Sequence, residues 1–488
     1  MKLAIYFFFF VQGLHLTGQS YYSKLIPFPI DSINPNPIDL GLFNNNIYIP
    51  LIYPGLLSTL LISDKEVTNL EYLHISNFVF SKKPLAFINN NIYIYAKDRE
   101  ISNDQRLIKL SSNHEQIFLK SYNTLGEYNF PTGTFCLNNH IYITAVDDYN
   151  DGSHREVNVK KIDTLGNELW SKNYGQTDNR TYCWEAEASM DDHILLSTGF
   201  HNGGIFSQLI KIDTLGGVVW RWRDTEECRN GGVNHNIAPL GDGNTVLTTS
   251  LDKFMDEEFW IKDWYPFPPK LSWISPEGKL IKDTLLTSPH YNELLIYDLQ
   301  AGRGDYFFGF GQWVDPDTDE QYGWLFKMSS TGEMLWNRHY QHGEFYAQDY
   351  DHIFKDLVEL DNGDLLIMGD INPPGGKNEI WLVKLDENGC LGDDDCGDEI
   401  VLAEENLPEI NHNIMLYPNP TSYSITISGI PEGKYTYCII NTQGQQVLSS
   451  ALQNEDIIDV SDLPSGMYFI ELINEDGQRW IEKFVVGR

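Results

Sequence analysis

Aspartates at alternate positions, interleaved with aromatic rings, are the side chains of this sequence best placed to do chemistry. Three stretches carry them. One is Asp147-Asp148-Tyr149-Asn150-Asp151-Gly152; the second, residues 252–264, holds Asp256, Glu257, Glu258, Trp260, Asp263 and Trp264; the third runs from Trp313 through Asp315, Asp317 and Asp319 to Glu320. Carboxylates spaced this way can converge on calcium, a hard cation that takes oxygen ligands. None of the three completes a twelve-residue calcium loop, with its glycine at the sixth position and glutamate at the twelfth. Solvated acidic loops are the plainer reading, and calcium is an open one. A flat ring beside carboxylates also suits a sugar, whose C–H face stacks while its hydroxyls find acceptors. The candidate binding face is therefore Asp147, Asp148, Tyr149, Asp151, Trp260, Trp264, Trp313, Asp315, Asp317 and Asp319, with a glycan or a protein as its expected ligand.

A second set could serve catalysis. Glu185, Glu187, His235, Glu293, Asp349, Asp351 and His352 fall near the starts of strand-like runs. If those runs line a channel, two of the carboxyl groups could act as the acid and base of a glycosidase, provided their separation fits. No His-Glu-x-x-His, Gly-x-Ser-x-Gly or Gly-Lys-Ser/Thr phosphate loop occurs. Arg303-Gly304-Asp305 spells an adhesion tripeptide, but sister segments carry Asp-Asn-Gly-Asp or Gly-Asp-Gly-Asn there, so a turn suffices. A non-catalytic binding protein is the favoured expectation, a glycan-active hydrolase the alternative, and a purely structural surface component the third.

The elements that must position these residues announce themselves by repetition. A polar turn followed by an alternating apolar run occurs at Asn44-Asn45-Asn46-Ile47-Tyr48-Ile49, Asn89-Asn90-Asn91-Ile92-Tyr93-Ile94 and Asn138-Asn139-His140-Ile141-Tyr142-Ile143. Looser copies start at Asp191, Asp242, Arg303 and Asp361. The intervals, roughly 45 to 60 residues, are those of propeller blades. A second element follows, clearest as Lys161-Ile162-Asp163-Thr164-Leu165-Gly166-Asn167-Glu168-Leu169-Trp170, repeated over 211–220 and 327–336. It reads as a strand, a glycine hairpin turn and an outer strand carrying an aromatic. Each unit is thus expected to be four antiparallel strands, the fourth ending at the tryptophan. No unit buries both faces alone, so the units must stack, and radial closure protects their edges. The expectation is an all-β protein with a seven-bladed β-propeller. Its last unit lacks a fourth strand, which residues 21–29 are expected to supply. The Gly-x-x-x-Trp units, over about residues 60–390, resemble those of quinoprotein-like propellers. That resemblance implies the fold alone, because the adjacent cysteines that accompany the quinone are missing.

Bulk composition narrows the setting. The chain has 488 residues, with 69 acidic against 34 basic and a formal charge of -35. Such a surface repels phosphate backbones and argues against nucleic acid as a partner. Lys2 followed by an apolar run from Leu3 to Val11 reads as a secretory signal peptide over residues 1–20. No later stretch is long and apolar enough to span a membrane. Export permits disulfides: Cys390 and Cys396 close a short loop and are the candidate pair, Cys183 and Cys228 a further possibility, while Cys136 and Cys438 suit buried thiols. With no Cys-x-x-Cys pair, zinc is not expected.

Beyond an acidic linker at 397–411, short strands return at the tighter spacing of a small Ig-like β-sandwich. Leu416-Tyr417-Pro418-Asn419-Pro420-Thr421 opens the segment, and Asn441-Thr442-Gln443-Gly444-Gln445 marks its central turn. Leu463-Pro464-Ser465-Gly466-Met467-Tyr468 follows, and Lys483-Phe484-Val485-Val486 nearly ends it. Residues 412–488 resemble the type A C-terminal sorting domain of the Bacteroidetes type IX secretion system. The resemblance implies export by signal peptide, then delivery to the outer-membrane surface or the medium by the type IX machinery. The sorting residues it implies are Pro418, Asn419, Pro420, Gly444, Leu463, Pro464, Gly466, Tyr468, Lys483, Phe484 and Val485. The propeller is expected over residues 21–396. No cofactor is expected beyond the open calcium reading.

Overall fold

The computed structural model describes residues 5–11, 21–26, 36–52, 58–64, 67, 69–75, 78–98, 104–123, 128–149, 154–175, 181–201, 205–228, 236–250, 269–286, 294–315, 318, 320–342, 351–372, 378–391, 399–402, 415–417, 419–428, 434–441, 446–453, 457–474 and 479–487. Among them every regular element is a strand. No helix of the described residues is long and apolar enough to cross a membrane.

The repeated turns work through backbone conformation. Asn44 and Asn45, Asn89 and Asn90, and Asn138 and Asn139 all have φ between 48° and 65°. Two consecutive residues of this hand make the tight hairpin whose twist matches its flanking strands, and asparagine tolerates that conformation. Tyr128–Leu137 thereby folds back as His140–Tyr149, which pairs His154–Ile162, which pairs Glu168–Tyr174. The same four-strand meander recurs from Phe78–Ile88 to Gln116–Asn123, from Thr181–Ala188 to Val218–Cys228, from Ile237–Pro239 to Leu280–Leu285 and from Leu294–Ala301 to Met334–His342. The first two of these meanders in chain order join into one eight-stranded sheet through a single parallel bridge, Lys83 to Gly133. An earlier sheet orders Ile5–Val11, Asn69–Ile75, Ser58–Asp64 and Asn46–Ile52, the last paired also by Gly41–Phe43 and Asn36–Pro37.

The final sheet has three strands from the end of the body, Asp351–Glu359, Leu365–Asn372 and Glu379–Leu385, and a fourth from its beginning. Tyr22–Ile26 pairs Glu379–Leu385 in antiparallel register, Tyr22 opposite Lys384 and Ile26 opposite Ile380, as residues 21–29 were expected to do. Trp381 Nε1 donates to Ser23 Oγ at 3.0 Å across this junction. The stretch read as linker also contributes: Glu399–Leu402 lies parallel to Met334–His342. An apolar Ile-Val-Leu run beside an open sheet edge gains a ladder of backbone hydrogen bonds there.

The outer strands show why glycine and tryptophan recur together. The tryptophan lies near the start of the fourth strand, not at its end; Trp170 is the third residue of Glu168–Tyr174. From this place the ring reaches the glycine turn of the next repeat. Trp170 Nε1 donates to Thr214 O at 3.1 Å and Trp220 Nε1 to Pro276 O at 2.7 Å, while Trp273, on the third strand of its meander, donates to Ser330 O at 2.7 Å. Tyr122, Tyr174 and Tyr340 donate to Gly166 O, Gly216 O and Gly389 O at 2.7 to 2.9 Å. Trp336 keeps the position without an acceptor for its indole N–H. Burial, not these bonds, carries most of the stability, since fully burying an aromatic or branched side chain gives roughly 1.5–3 kcal/mol.

Two compact units partition the chain. One comprises residues 1–7, 19–62 and 72–405, the other 8–18, 63–71 and 406–488. In the second, a sheet of Met415–Tyr417, Ser424–Ser428 and Ile457–Asp459 accompanies one ordered Gln446–Gln453, Lys434–Asn441, Gly466–Asn474, Arg479–Val486. Ile425, Ile427 and Ile458 of the first sheet share a core with Ile439, Ile470, Leu472 and Phe484 of the second.

The rim predicts a graded pair of substitutions. Gly278 has φ +78°, and a Cβ there would lie 2.6 Å from Trp220 Cδ2; Gly363 has φ +90° but its nearest neighbour would be 3.5 Å away. Gly363→Ala should cost only the left-handed backbone penalty, about 1–2 kcal/mol. Gly278→Ala should cost clearly more and lower the thermal midpoint further, because the indole must also move. Equal midpoints in thermal denaturation would refute the packing account.

Candidate functional site

The first strands of these sheets, Ile237–Pro239 excepted, share a feature that the sequence does not advertise. The register slips between Phe80 and Leu85, Pro131 and Gly133, Cys183 and Glu185, Ile296 and Asp298, and Phe354 and Asp356. A bulge re-aims the residue that follows it. At four of the five slips a charged residue lies within or just past the slip, Lys83, Glu185, Asp298 and Asp356, and three of these meet. Lys83 Nζ contacts Glu185 Oε1 and lies 2.9 Å from Asp298 Oδ2 and 3.4 Å from Glu187 Oε1.

Around this ion cluster each inner strand grips another. Asp39 Oδ2 accepts Leu85 N at 3.2 Å, and Asp356 Oδ2 accepts Leu40 N at 2.7 Å. Glu185 Oε2 accepts Ile237 N at 2.7 Å. Asn236 Nδ2 donates to Tyr297 O at 2.7 Å, while Asn236 Oδ1 accepts from Lys82 Nζ at 3.3 Å. Side chains from first strands spread over residues 36–359 therefore converge on one axis, the arrangement of a β-propeller.

Electrostatics at the axis follow from burial. Burial works against the Lys83 ammonium, yet Asp298, Glu185 and Glu187 override it and hold the amine charged well beyond the ordinary lysine range. Glu185 is pushed up to about 8, by burial first and then by the charge of Asp298. Burial likewise raises Glu187, Asp39 and Asp356, the last also through Asp39 beside it. Five carboxyl groups face two lysines, so protons as well as cations balance the site.

What such a site can do depends on what is free. Glu185 is fully enclosed, Asp298 nearly so, and both are engaged by the ammonium; Glu187 and Lys83 keep 26% and 22% of their side chains exposed. Among the other channel candidates, His352 is buried, with Nε2 accepting His342 N at 3.1 Å and Nδ1 placed 3.1 Å from Gln321 O. That makes it a neutral bridge between strands. Asp351 is raised by burial and by Asp370. His235, Glu293 and Asp349 lie outside the described residues.

The acidic, aromatic face distributes differently. Asp147 is fully buried, while Asp148 is paired with Arg155, whose Nε and Nη2 lie 2.9 and 2.8 Å from Asp148 Oδ2. Tyr149 Oη donates to Glu156 and accepts Asn173 Nδ2 at 3.0 Å. On another meander Trp313 stacks on His339, centroids 3.9 Å apart, beside Tyr322 at 5.4 Å. Asp315 Oδ1 accepts Thr318 N at 3.2 Å and closes its own loop. Asp151, Trp260, Trp264, Asp317 and Asp319 lie outside the described residues. Among the described residues no group of three or more His, Cys, Asp or Glu is placed to hold a metal ion. Arg303 of the adhesion-like tripeptide is paired to Asp361 at 2.7 Å. Cys183 is a free thiol, so the Cys183–Cys228 bridge is not formed; Cys136 and Cys438 likewise take part in no disulfide, and Cys396 lies outside the described residues.

Sequence reasoning named Glu185 and Glu187 but missed Lys83, Asp39, Asn236, Asp298 and Asp356. One signal was present. Asp-Leu recurs at Asp39-Leu40, Asp298-Leu299 and Asp356-Leu357, and each aspartate accepts the amide of its own leucine at 2.7 to 3.0 Å.

In the C-terminal unit the motif residues do structural work. Asn419 Nδ2 donates to Lys483 O at 3.0 Å and its Oδ1 accepts Val485 N at 2.9 Å, so one side-chain amide clamps the final strand. Thr421 N donates to Val485 O and Gly487 N to Thr421 O, both at 2.8 Å. Tyr468 stacks on buried Phe484 at 5.7 Å and donates to Pro464 O at 2.8 Å. Leu463 is buried, Pro420, Gly466 and Lys483 are exposed, and Pro418 and Gly444 lie outside the described residues.

Removing the axial cation should be severe. Lys83→Met strands buried carboxylates and should cost about 3–5 kcal/mol in urea unfolding, the usual penalty for breaking a buried pair. Glu187→Gln, at the exposed end, should cost under about 1 kcal/mol. A Lys83→Met protein of unchanged stability would remove the axial account.

Residues 415–487 match the family model described as a secretion system C-terminal sorting domain. No curated protein matches the sequence significantly. Among solved structures, the β-propeller domain of the Trilobed protease from Pyrococcus furiosus is similar at 9% identity, over 74% of this chain and 97% of that one, with a TM-score of 0.43. Prolyl oligopeptidase B from Galerina marginata is similar at 12% identity, over 69% of this chain and 46% of that one, with a TM-score of 0.39. A europium-containing methanol dehydrogenase is similar at 9% identity, over 94% and 84%, with a TM-score of 0.38. The chain is thus an exported protein, a β-propeller-like body followed by a secretion sorting tail.

Proposed function

We propose that this protein is a non-catalytic binding propeller for a glycan or a protein, carried to the cell surface or the medium by the type IX machinery acting on its C-terminal domain. In this reading the signal peptide is residues 1–20. The early sheet and the six four-stranded sets of residues 22–385 make seven blades, and the sorting tail is an Ig-like sandwich. A Cys390–Cys396 disulfide closes the body at its end. The ligand meets the face that bears Asp148, Tyr149, Asp151, Trp260, Trp264, Trp313 and Asp315 to Asp319, without the buried Asp147.

The observation that carries the non-catalytic reading is the engagement of the axial carboxylates. A glycosidase needs one carboxyl group to give a proton and a second to attack or to activate water, both facing the sugar. Glu185 and Asp298 face Lys83, and Asp39 and Asp356 face backbone amides. Among the described residues Glu187 is the axial carboxyl with appreciable exposure, and none of the other axial carboxyl groups described offers a hydrolase its second partner. The net charge of -35 favours a neutral or cationic ligand over a polyanion.

Two measurements test this reading. A glycan and protein array probed with the full chain, in calcium and in chelator, should show binding that survives chelation and no hydrolysis of the bound glycan. A blank array would leave the binding role without support, and hydrolysis lost in Glu187→Gln would replace it with the enzyme. Deleting residues 415–488 in a host with type IX secretion should strand the body in the periplasm. Unchanged surface delivery of the truncated chain would overturn the export route.

A further inference from the structure

We propose that a proton shared between Asp39 and Asp356 latches the first inner strand to the last, and that loss of this proton at alkaline pH loosens the seam between residues 36–43 and 351–359. The geometry is unusual in one respect. Leu40 N lies 3.0 Å from Asp39 Oδ1 and 2.7 Å from Asp356 Oδ2, so two carboxyl groups share one amide. Their remaining oxygens are also committed, Asp39 Oδ2 to Leu85 N at 3.2 Å and Asp356 Oδ1 to Leu357 N at 2.7 Å. Converging on one N–H brings Asp39 Oδ1 and Asp356 Oδ2 together. Ionised carboxylates only accept, so two of them meeting at a single amide repel unless an acid proton lies between them. Two buried carboxyl groups at this separation do not both ionise near neutrality.

The groups facing the pair do not supply a substitute. Lys83, from Phe78–Ile88, is the nearest cation, and it is already committed to Glu185 and Asp298, whose own charges oppose a second carboxylate here. Glu187 lies on the same ammonium. Lys355 adjoins Asp356 in sequence, but its Nζ lies 2.7 Å from Asp370 Oδ1 and 2.6 Å from Asn36 Oδ1. The sign follows. Burial and the Asp39 charge raise Asp356 well above the ordinary aspartate range. A carboxyl group raised on folding stabilises fully below its unfolded value, near pH 3.9, and its contribution is lost as the pH climbs through the folded value. Alkali therefore weakens this seam. Tyr22–Ile26, hydrogen-bonded to Glu379–Leu385, keeps the two ends tethered, which makes the loosening reversible.

The test is amide hydrogen exchange of the full chain, read as the rate for residues 36–43 relative to residues 91–98, which cancels the intrinsic pH dependence. The ratio should rise tenfold or more between about pH 6 and about pH 9, as expected of a local opening separate from global unfolding, and should return on reacidification. Asp356→Asn keeps a donor to Asp39 and cannot ionise, so its ratio should stay flat; Asp39→Asn provides the reciprocal variant should the first fail to fold. A flat ratio in the unsubstituted protein overturns the latch. So does an undiminished rise in either asparagine variant, or a rise abolished by Glu185→Gln, which would assign the proton to the Lys83 cluster.

Discussion

An ammonium group removed from most of its water must be surrounded by anions, and those anions must come from somewhere. At Lys83 they come from Glu185 and Glu187 on one strand and Asp298 on another more than a hundred residues later. The desolvation cost of such a cluster is large, and partnered geometry is what offsets it. The consequence is cooperative. No single sheet can satisfy Lys83, and the ammonium cannot leave without stranding its carboxylates, so the inner strands are held as a set. The amide bonds from Leu40, Leu85 and Ile237 extend the same logic to backbone groups that would otherwise lie buried and unpaired.

The outer rim solves a different problem by a different force. There the join between repeats is aromatic packing on a glycine turn, with an indole or phenol hydroxyl donating to a carbonyl of that turn. Because the turn glycine is both left-handed and covered by the neighbouring ring, any side chain would be strained by its backbone and would collide as well. Axis and rim are thus complementary. Charge fixes the inner ends of the strands, and apolar contact fixes the outer ends. The acidic surface is left to solvent and to any partner.

The C-terminal unit repeats this economy on a smaller scale. Its spaced motif residues are far apart in the chain yet meet in space: Asn419 holds the strand that contains Lys483 and Val485, while Tyr468 covers Phe484. A machinery that reads the end of this chain would read a strand whose course is set by residues sixty positions earlier. The spacing of the motif therefore records a folding requirement as well as an address.

Much of this was legible in the residues. Asn-Asn turns, alternating apolar runs and Gly-x-x-x-Trp units are local signals with local causes, and they announced the four-strand repeats, the strand from residues 21–29 and the sorting tail. The place of the tryptophan at the start of its strand was not legible, because the contact that defines it belongs to the next repeat. Nor was the axis. Lys83 and Asp356 sit among ordinary strand residues, and only bulges, which are differences in register between partner strands, turn them inward. Asp147 shows the same limit from the other side: read as a surface ligand, it is buried, on a strand enclosed from Ile141 to Asp147. Periodicity is a property of one strand, so the sequence by itself determined the repeat and the export tail. Convergence is a property of many strands closing on a common axis, so only the tertiary structure decided which charges meet.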